Sequence, residues 1–377
     1  MSMMMVAALT SVVASTALAH SSAAAFISNF STVTQGALSA PADGLEKGDQ
    51  NPYGVAVIPQ SVGSLKSGNI LVSNFNNAGV PPTGNLQGTG SSIVQYSPDA
   101  ETQTTFAEID STKLPGGCPG GVGLTTALIV LRTGWVIVGS LPTTDGTIGT
   151  VGAGCLIVLD ANGNPVETFS GGVVDGPWDM TASDNGLVTQ LFFTNVLNDK
   201  VAKAPADMPV NAGTVARMTL STPPQGQGIP SILETKIIGS GFGEENDPNA
   251  LIIGPTGVAL SRDNTNGDTL YVADSVSNRI ARIEGASFRS SSAGTGQTVS
   301  ADGLLSTPLG LALAPNGDIL TANAGDGNIV ETTKHGLQTA ATIAPSGGGA
   351  LFGLAVMPGG NGIYFVDDSA NRLNLFH

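Results

Sequence analysis

Short apolar runs, nearly continuous rather than alternating with polar residues, fill this chain. Gly, Asn, Asp or Pro bounds almost every one. The pattern is clearest in three places. Pro255-Thr256-Gly257-Val258-Ala259-Leu260 leads to Leu270-Tyr271-Val272-Ala273-Asp274, Pro308-Leu309-Gly310-Leu311-Ala312-Leu313 leads to Ile319-Leu320-Thr321-Ala322-Asn323, and Leu351-Phe352-Gly353-Leu354-Ala355-Val356 leads to Ile363-Tyr364-Phe365-Val366-Asp367. Runs of this length and β-branched content predict strands. Their continuous apolarity predicts sheets covered on both faces. Asn162-Gly163, Asn185-Gly186, Asn316-Gly317 and Asp326-Gly327 supply hairpin turns between them. No long segment carries a 3.6-residue apolar stripe, so the chain reads as all-β. Self-similarity on this scale predicts a radial array of small sheets, a β-propeller.

The repeat extends through degenerate copies. Its glycine falls at Gly54, Gly123, Gly257, Gly310 and Gly353, with Asp179 in its place in Pro177-Trp178-Asp179-Met180. A second apolar run follows each marker: Ile70–Ser73, Trp135–Val138, Leu191–Thr194, Leu270–Ala273, Ile319–Ala322 and Ile363–Val366. Third and, in most copies, fourth runs follow these. The count is six four-stranded antiparallel blades. The last copy ends after its third strand, and Phe26–Val33 is expected to supply the missing outer strand, which would remove the open sheet edge. Residues 26–377 are then one propeller domain, expected to be monomeric.

Composition narrows the setting. Only 11% of the residues are charged against 41% hydrophobic, with 51 Gly, which suits a β-rich protein with tight turns. The net charge of −15, with no basic cluster, argues against nucleic-acid binding. Residues 1–25 are an uncharged Ala/Val/Met-rich stretch ending in small-residue sites, read as a secretory signal peptide cleaved after Ala19 or Ala25. No Lys or Arg precedes its apolar run, a departure from the usual signal. No later stretch is long enough for an apolar membrane-spanning helix. The expected location is secreted or periplasmic. There the two cysteines, Cys118 and Cys155, are expected to form one disulfide at the top of blade 2.

The segment Gly267–Ile280, with Tyr271-Val272-Ala273-Asp274-Ser275 and Asn278-Arg279-Ile280, resembles the NHL-repeat family of six-bladed propellers. The likeness is good over 250–377, fair over 51–75 and faint over 118–220. A more distant similarity to gluconolactonase-like propellers implies a divalent metal held by Glu, Asn and Asp on first strands. The residues before the glycine markers here are Tyr53, Val122, Thr256, Leu309 and Phe352, and only Asp179 is acidic nearby. Histidine-dependent propeller enzymes find few counterparts, because the only histidines are His20, His335 and His377.

In a propeller, first strands begin on one face, the top, and the loops between second and third strands return to it. Those loops are long in blades 1–3 (75–91, 141–154 and 196–213) and short in blades 4–6. Long loops on a rigid scaffold carry function, so the binding face is expected at the channel mouth beside blades 1–3. Asn74, Asn195, Asp274, Asn323 and Asp367 end second strands and form a polar ring there. Such a ring suits sugar hydroxyls or a hard cation such as calcium. It equally suits turns capped by their own Asp and Asn. Asp179 beside Trp178 is the sharpest candidate, a carboxylate next to an aromatic platform, where desolvation would raise its pKa. The acidic segment Glu244-Glu245-Asn246-Asp247 leads into blade 4 on the same face. The leading expectation is a non-catalytic module binding a glycan, a small polar ligand or a protein. The alternative is a hydrolase or lactonase with Asp179 as base or metal ligand, helped by Asn74, Asn195 and Asp274 or Asp367. The sequence assigns no cofactor beyond the option of calcium or another divalent cation.

Overall fold

The computed structural model describes residues 24–41, 48–79, 84–198, 201–203, 208–263, 267–343 and 347–377. The signal-peptide reading of the first 23 residues, with His20, lies outside the described residues. The chain forms six antiparallel sheets arranged as propeller blades. Blade 1 comprises Asp49–Val57, Ile70–Asn77, Ser92–Tyr96 and Gln103–Glu108. Blade 2 comprises Leu124–Val130, Val136–Ser140, Cys155–Leu159 and Pro165–Ser170. Blade 3 begins with Gly176–Asp184 and continues through Val188–Val196 and Val210–Ser221 to the long outer strand Ser231–Asp247. A short extra strand, Leu251–Ile253, pairs with the end of that outer strand, so this sheet has five strands. Blades 4 and 5 run from Pro255–Asp263 to Gln297–Ala301 and from Pro308–Leu313 to Gln338–Thr342.

Blade 6 contains Leu351–Val356, Ile363–Asp367 and Arg372–Phe376, and the N-terminal strand pairs with the last of these. Closure therefore follows the expected route, but through Val33–Leu38 rather than Phe26–Val33. Phe26–Asn29 is a 3-10 turn instead. The backbone N–H groups of Phe26 and Ile27 donate to the Glu331 carboxylate at 2.9 and 2.8 Å. Both side chains are buried against blades 5 and 6. The apolar start of the segment thus serves as a clasp below the ring, and the strand begins only after it.

Register corrects one blade. Pro52, Pro177, Pro255, Pro308 and Leu351 pair with Asn74, Asn195, Asp274, Asn323 and Asp367. Two residues further on stand Gly54, Asp179, Gly257, Gly310 and Gly353. In blade 2 the corresponding pair is Leu124 with Ser140, so the equivalent of the marker is Thr126, not Gly123.

The need for glycine is steric. A Cβ on Gly257 would collide with the carbonyl oxygen of Leu309, one on Gly310 with that of Phe352, and one on Gly353 with that of Tyr53. In blades 4–6 the next inner strand approaches so closely at this level that a side chain has no room. Separate apolar clusters fill the seams between blades.

A candidate site in the channel and on the top face

The upper part of the central channel is filled. Tyr53 stacks on Phe352 with ring centroids 3.8 Å apart and on Phe75 at 4.5 Å, and Trp178 lies 6.5 Å from Tyr53. Leu251, Ile252 and Leu309 pack into the same cluster. The turn between the last two strands of blade 3 is bonded down onto this stack. Tyr53 Oη donates to the Asn249 carbonyl at 3.0 Å, and Trp178 Nε1 donates to the Ile252 carbonyl at 3.0 Å. The extra strand of blade 3 thus acts as a stopper over the channel. Trp178, expected as an open platform beside Asp179, is 2% exposed and belongs to the stopper.

Asp179 points the other way, into the lower channel. Its Oδ1 accepts the N–H of Met180 at 2.8 Å, and its Oδ2 accepts the N–H of Val258 in blade 4 at 2.9 Å. Burial pushes its carboxyl up to about 8, and those two N–H donors only partly counter the desolvation. It borders a cavity of about 300 Å³ walled by all six inner strands, including Val55, Thr126, Leu128, Val258, Leu311 and Leu354.

The strand-end residues hold the connections between blades. Asn74 Nδ2 donates to the Ser39 carbonyl (2.9 Å) and to Ser92 Oγ (3.0 Å). Asn195 Nδ2 donates to the Val173 carbonyl (3.0 Å), while its Oδ1 accepts the N–H of Asp175 (3.1 Å). Asn323 Nδ2 donates to the Leu304 carbonyl at 2.8 Å. In each case the amide secures the segment that enters the blade from its predecessor. Asp274 Oδ2 accepts from Arg279 Nε at 2.8 Å, and Asp367 Oδ1 accepts the N–H of Ala370 at 2.9 Å. All five side chains are buried in these roles.

The top face has a polar cleft that the sequence did not single out. Between blades 6 and 1, Gln50, Asn51, Asn85, Gln87, Asn249, Asp368, Ser369 and Asn371 line a cavity of about 400 Å³. Asn51 Nδ2 donates to Asp368 Oδ2 at 3.0 Å, and Gln50 Nε2 donates to Asn85 Oδ1 at 2.9 Å. Asn371 Oδ1 accepts both the Asn51 N–H (3.1 Å) and Ser39 Oγ–H (2.6 Å). Burial pushes the Asp368 carboxyl up to about 7, against the bonds from Asn51 and Ser369 that lower it. Gln87 and Pro248 are shared with a neighbouring groove of about 430 Å³, where Ile148 and Leu251 add apolar surface. The long loops of blades 1 and 2 build these walls, supplying Asn85, Gln87, Gly146 and Ile148. Blade 3 contributes through its outer hairpin, with Pro248 and Asn249. The only available hint was the density of Asn and Gln in the first loop.

A disulfide joins Cys118 to Cys155 with Cα atoms 5.4 Å apart, at the top of blade 2 as expected. Among the described residues, no three His, Cys, Asp or Glu side chains gather as a metal site. No described helix is long and apolar enough to cross a membrane.

No family model and no curated protein matches the sequence. Solved structures do match the fold. A gluconolactonase from Xanthomonas campestris is 13% identical with a TM-score of 0.53, covering 92% of this chain and 95% of its own. A luciferin-regenerating enzyme is 12% identical with a TM-score of 0.53, covering 92% and 94%. The PQQ-bound aldose sugar dehydrogenase from Streptomyces coelicolor is 14% identical with a TM-score of 0.53, covering 92% and 97%. At these identities the likeness establishes a shared propeller architecture and nothing finer.

Proposed function

We propose that this protein is an extracytoplasmic, NHL-type binding module that takes a neutral polyhydroxylated ligand, such as a glycan, in the cleft between blades 6 and 1. The lining of the cleft carries the proposal. Side-chain amides both donate and accept hydrogen bonds, so six of them around one cavity match the alternating demands of sugar hydroxyls. Their mutual bonds hold several of them in place before a ligand arrives, which reduces the ordering cost of binding. The adjoining groove offers apolar surface for the less polar face of a sugar ring.

The lactonase reading draws on the shared fold and on Asp179, whose raised pKa suits a general base. Its proposed helpers, Asn74, Asn195, Asp274 and Asp367, are committed to connections and turns of the scaffold, so binding is the reading that the geometry supports best.

A glycan array followed by calorimetry with the best neutral oligosaccharide tests the proposal. The Gln50→Ala and Gln87→Ala variants, which alter the rim of the cleft, should weaken binding by about tenfold each, near the cost of a lost hydrogen bond. Binding that both variants leave untouched, or no saturable glycan binding at all, would overturn it.

A further inference from the structure

We propose that a signal-peptidase-type endopeptidase cuts the chain between Ala25 and Phe26, and that the new α-ammonium group of Phe26 pairs with the buried carboxylate of Glu331. Small-residue patterns permit a cut after Ala19 or after Ala25. The geometry favours the second. Phe26 N lies 2.9 Å from Glu331 Oε1, and Ile27 N lies 2.8 Å from Glu331 Oε2. A cut after Ala25 therefore sets the new terminus against a carboxylate without moving the chain. A cut after Ala19 would leave Phe26 N an amide and put the terminal charge on His20.

The surroundings of Glu331 are short of positive charge. Its side chain is 2% exposed and comes from the third strand of blade 5, Asn328–Thr332. Asn316 Nδ2 donates to Glu331 Oε1 at 2.9 Å and to Asp318 Oδ2 at 3.1 Å, so one amide draws two carboxylates together. Among the described residues, neither carboxylate forms an ion pair with Lys, Arg or His. Burial, and then the Glu331 charge, push the Asp318 carboxyl up, and Lys334 only partly counters them. Neutral N–H groups solvate the Glu331 charge but do not cancel it, and a buried carboxylate gains more from a cationic donor. An ammonium group at the Phe26 nitrogen supplies that cation from the chain itself.

The covalent step is a hydrolysis. Water adds across the Ala25–Phe26 peptide bond, the Ala25 carbonyl leaves as a carboxylate, and the Phe26 nitrogen takes up the proton to become ammonium. One existing bond is lost, from the Ser28 N–H to the Ala25 carbonyl at 3.0 Å. Phe26 and Ile27 stay packed against blades 5 and 6, ahead of the strand Val33–Leu38 that closes the ring. The ion pair would fasten the clasp where the first and last strands meet, which couples processing to closure. The cut rests on the same expectation of export as the proposed function, whereas the stability of the clasp is independent of ligand binding.

Secretion of the full chain from a bacterial host, followed by N-terminal sequencing and intact mass, tests the cut. Phe26 is the expected first residue. The pair is tested by comparing this processed protein with a chain that begins at His20, released from a fusion by a site-specific protease. In guanidinium titrations the His20 chain should show an unfolding equilibrium constant about tenfold higher, near the worth of a hydrogen bond to a charged group. Glu331→Gln should destabilise the processed protein and bring the two chain lengths to nearly equal stability. Acylation of the wild-type amine covers the case in which that variant misfolds, because the Phe26 α-amine should react far more slowly in the folded protein than in denaturant. A mature chain that begins at His20 or elsewhere, equal stability of the two lengths, or an α-amine equally reactive in both states would overturn the proposal.

Discussion

Asp179 in blade 3 accepts the backbone N–H of Val258 in blade 4 at 2.9 Å, so its side chain sits in a seam that glycine keeps tight in the following blades. The carboxylate replaces close backbone contact with a hydrogen bond between blades, and burial pushes its pKa up to about 8.

Stability should therefore fall as the pH rises. Asp179 at about 8 and Asp368 at about 7 both lie above the ordinary value of 3.8, so folding favours their protonated forms. That stabilisation is complete below about pH 4. It is lost as the pH rises, through 7 for Asp368 and through 8 for Asp179. At about 1.4 kcal/mol for each pH unit between the ordinary and the folded value, the two groups together account for a loss of at most about 10 kcal/mol. Denaturant titrations from pH 4 to 9 should show the decline, and Asp179→Asn should flatten its upper part. An unchanged profile in that variant would rule Asp179 out as the source.

Gly310→Ala should destabilise the protein by about 1–3 kcal/mol, the usual cost of overpacking. The new methyl group would meet the backbone carbonyl of Phe352, which cannot rotate away as a side chain could. Chemical denaturation would measure the loss, and a neutral result would mean that the seam between blades 5 and 6 can open.

The stopper should respond in two stages to changes at Tyr53. Tyr53→Phe keeps the stack and loses only the bond to the Asn249 carbonyl, at a cost of about 1 kcal/mol. Tyr53→Ala also removes the ring between Phe75 and Phe352, and about 3–5 kcal/mol is expected. Equal losses in the two variants would mean that the ring contributes little.

Replacing Cys118 and Cys155 together by Ala should cost about 3–4 kcal/mol, because the bridge closes a loop with a sequence separation of 37. Thermal unfolding of the double variant beside the oxidised wild type would show it. The local effect belongs at the top of blade 2, where the bridge ties Cys118, ahead of the first strand, to the start of the third strand.

The sequence alone determined the sheet count and the route of closure, because strand periodicity, turn glycines and repeat spacing are local properties. The short top turns of blades 4–6 were legible for the same reason, and the Cys118–Cys155 bridge was legible because the chain has only two cysteines to pair. Three matters were decided only in three dimensions. Gly123 looked like the marker of blade 2, but strand pairing assigns that place to Thr126, and register depends on a partner strand that a linear reading does not contain. Trp178 and Asp179 are neighbours in sequence, yet they face the upper stopper and the lower channel, since successive residues of a strand point to opposite sides. The polar cleft joins residues as distant as Asn51 and Asp368, which meet because the ring closes where the chain's two ends come together. Local patterns specify strands and their number, but only closure specifies which side chains share a cavity.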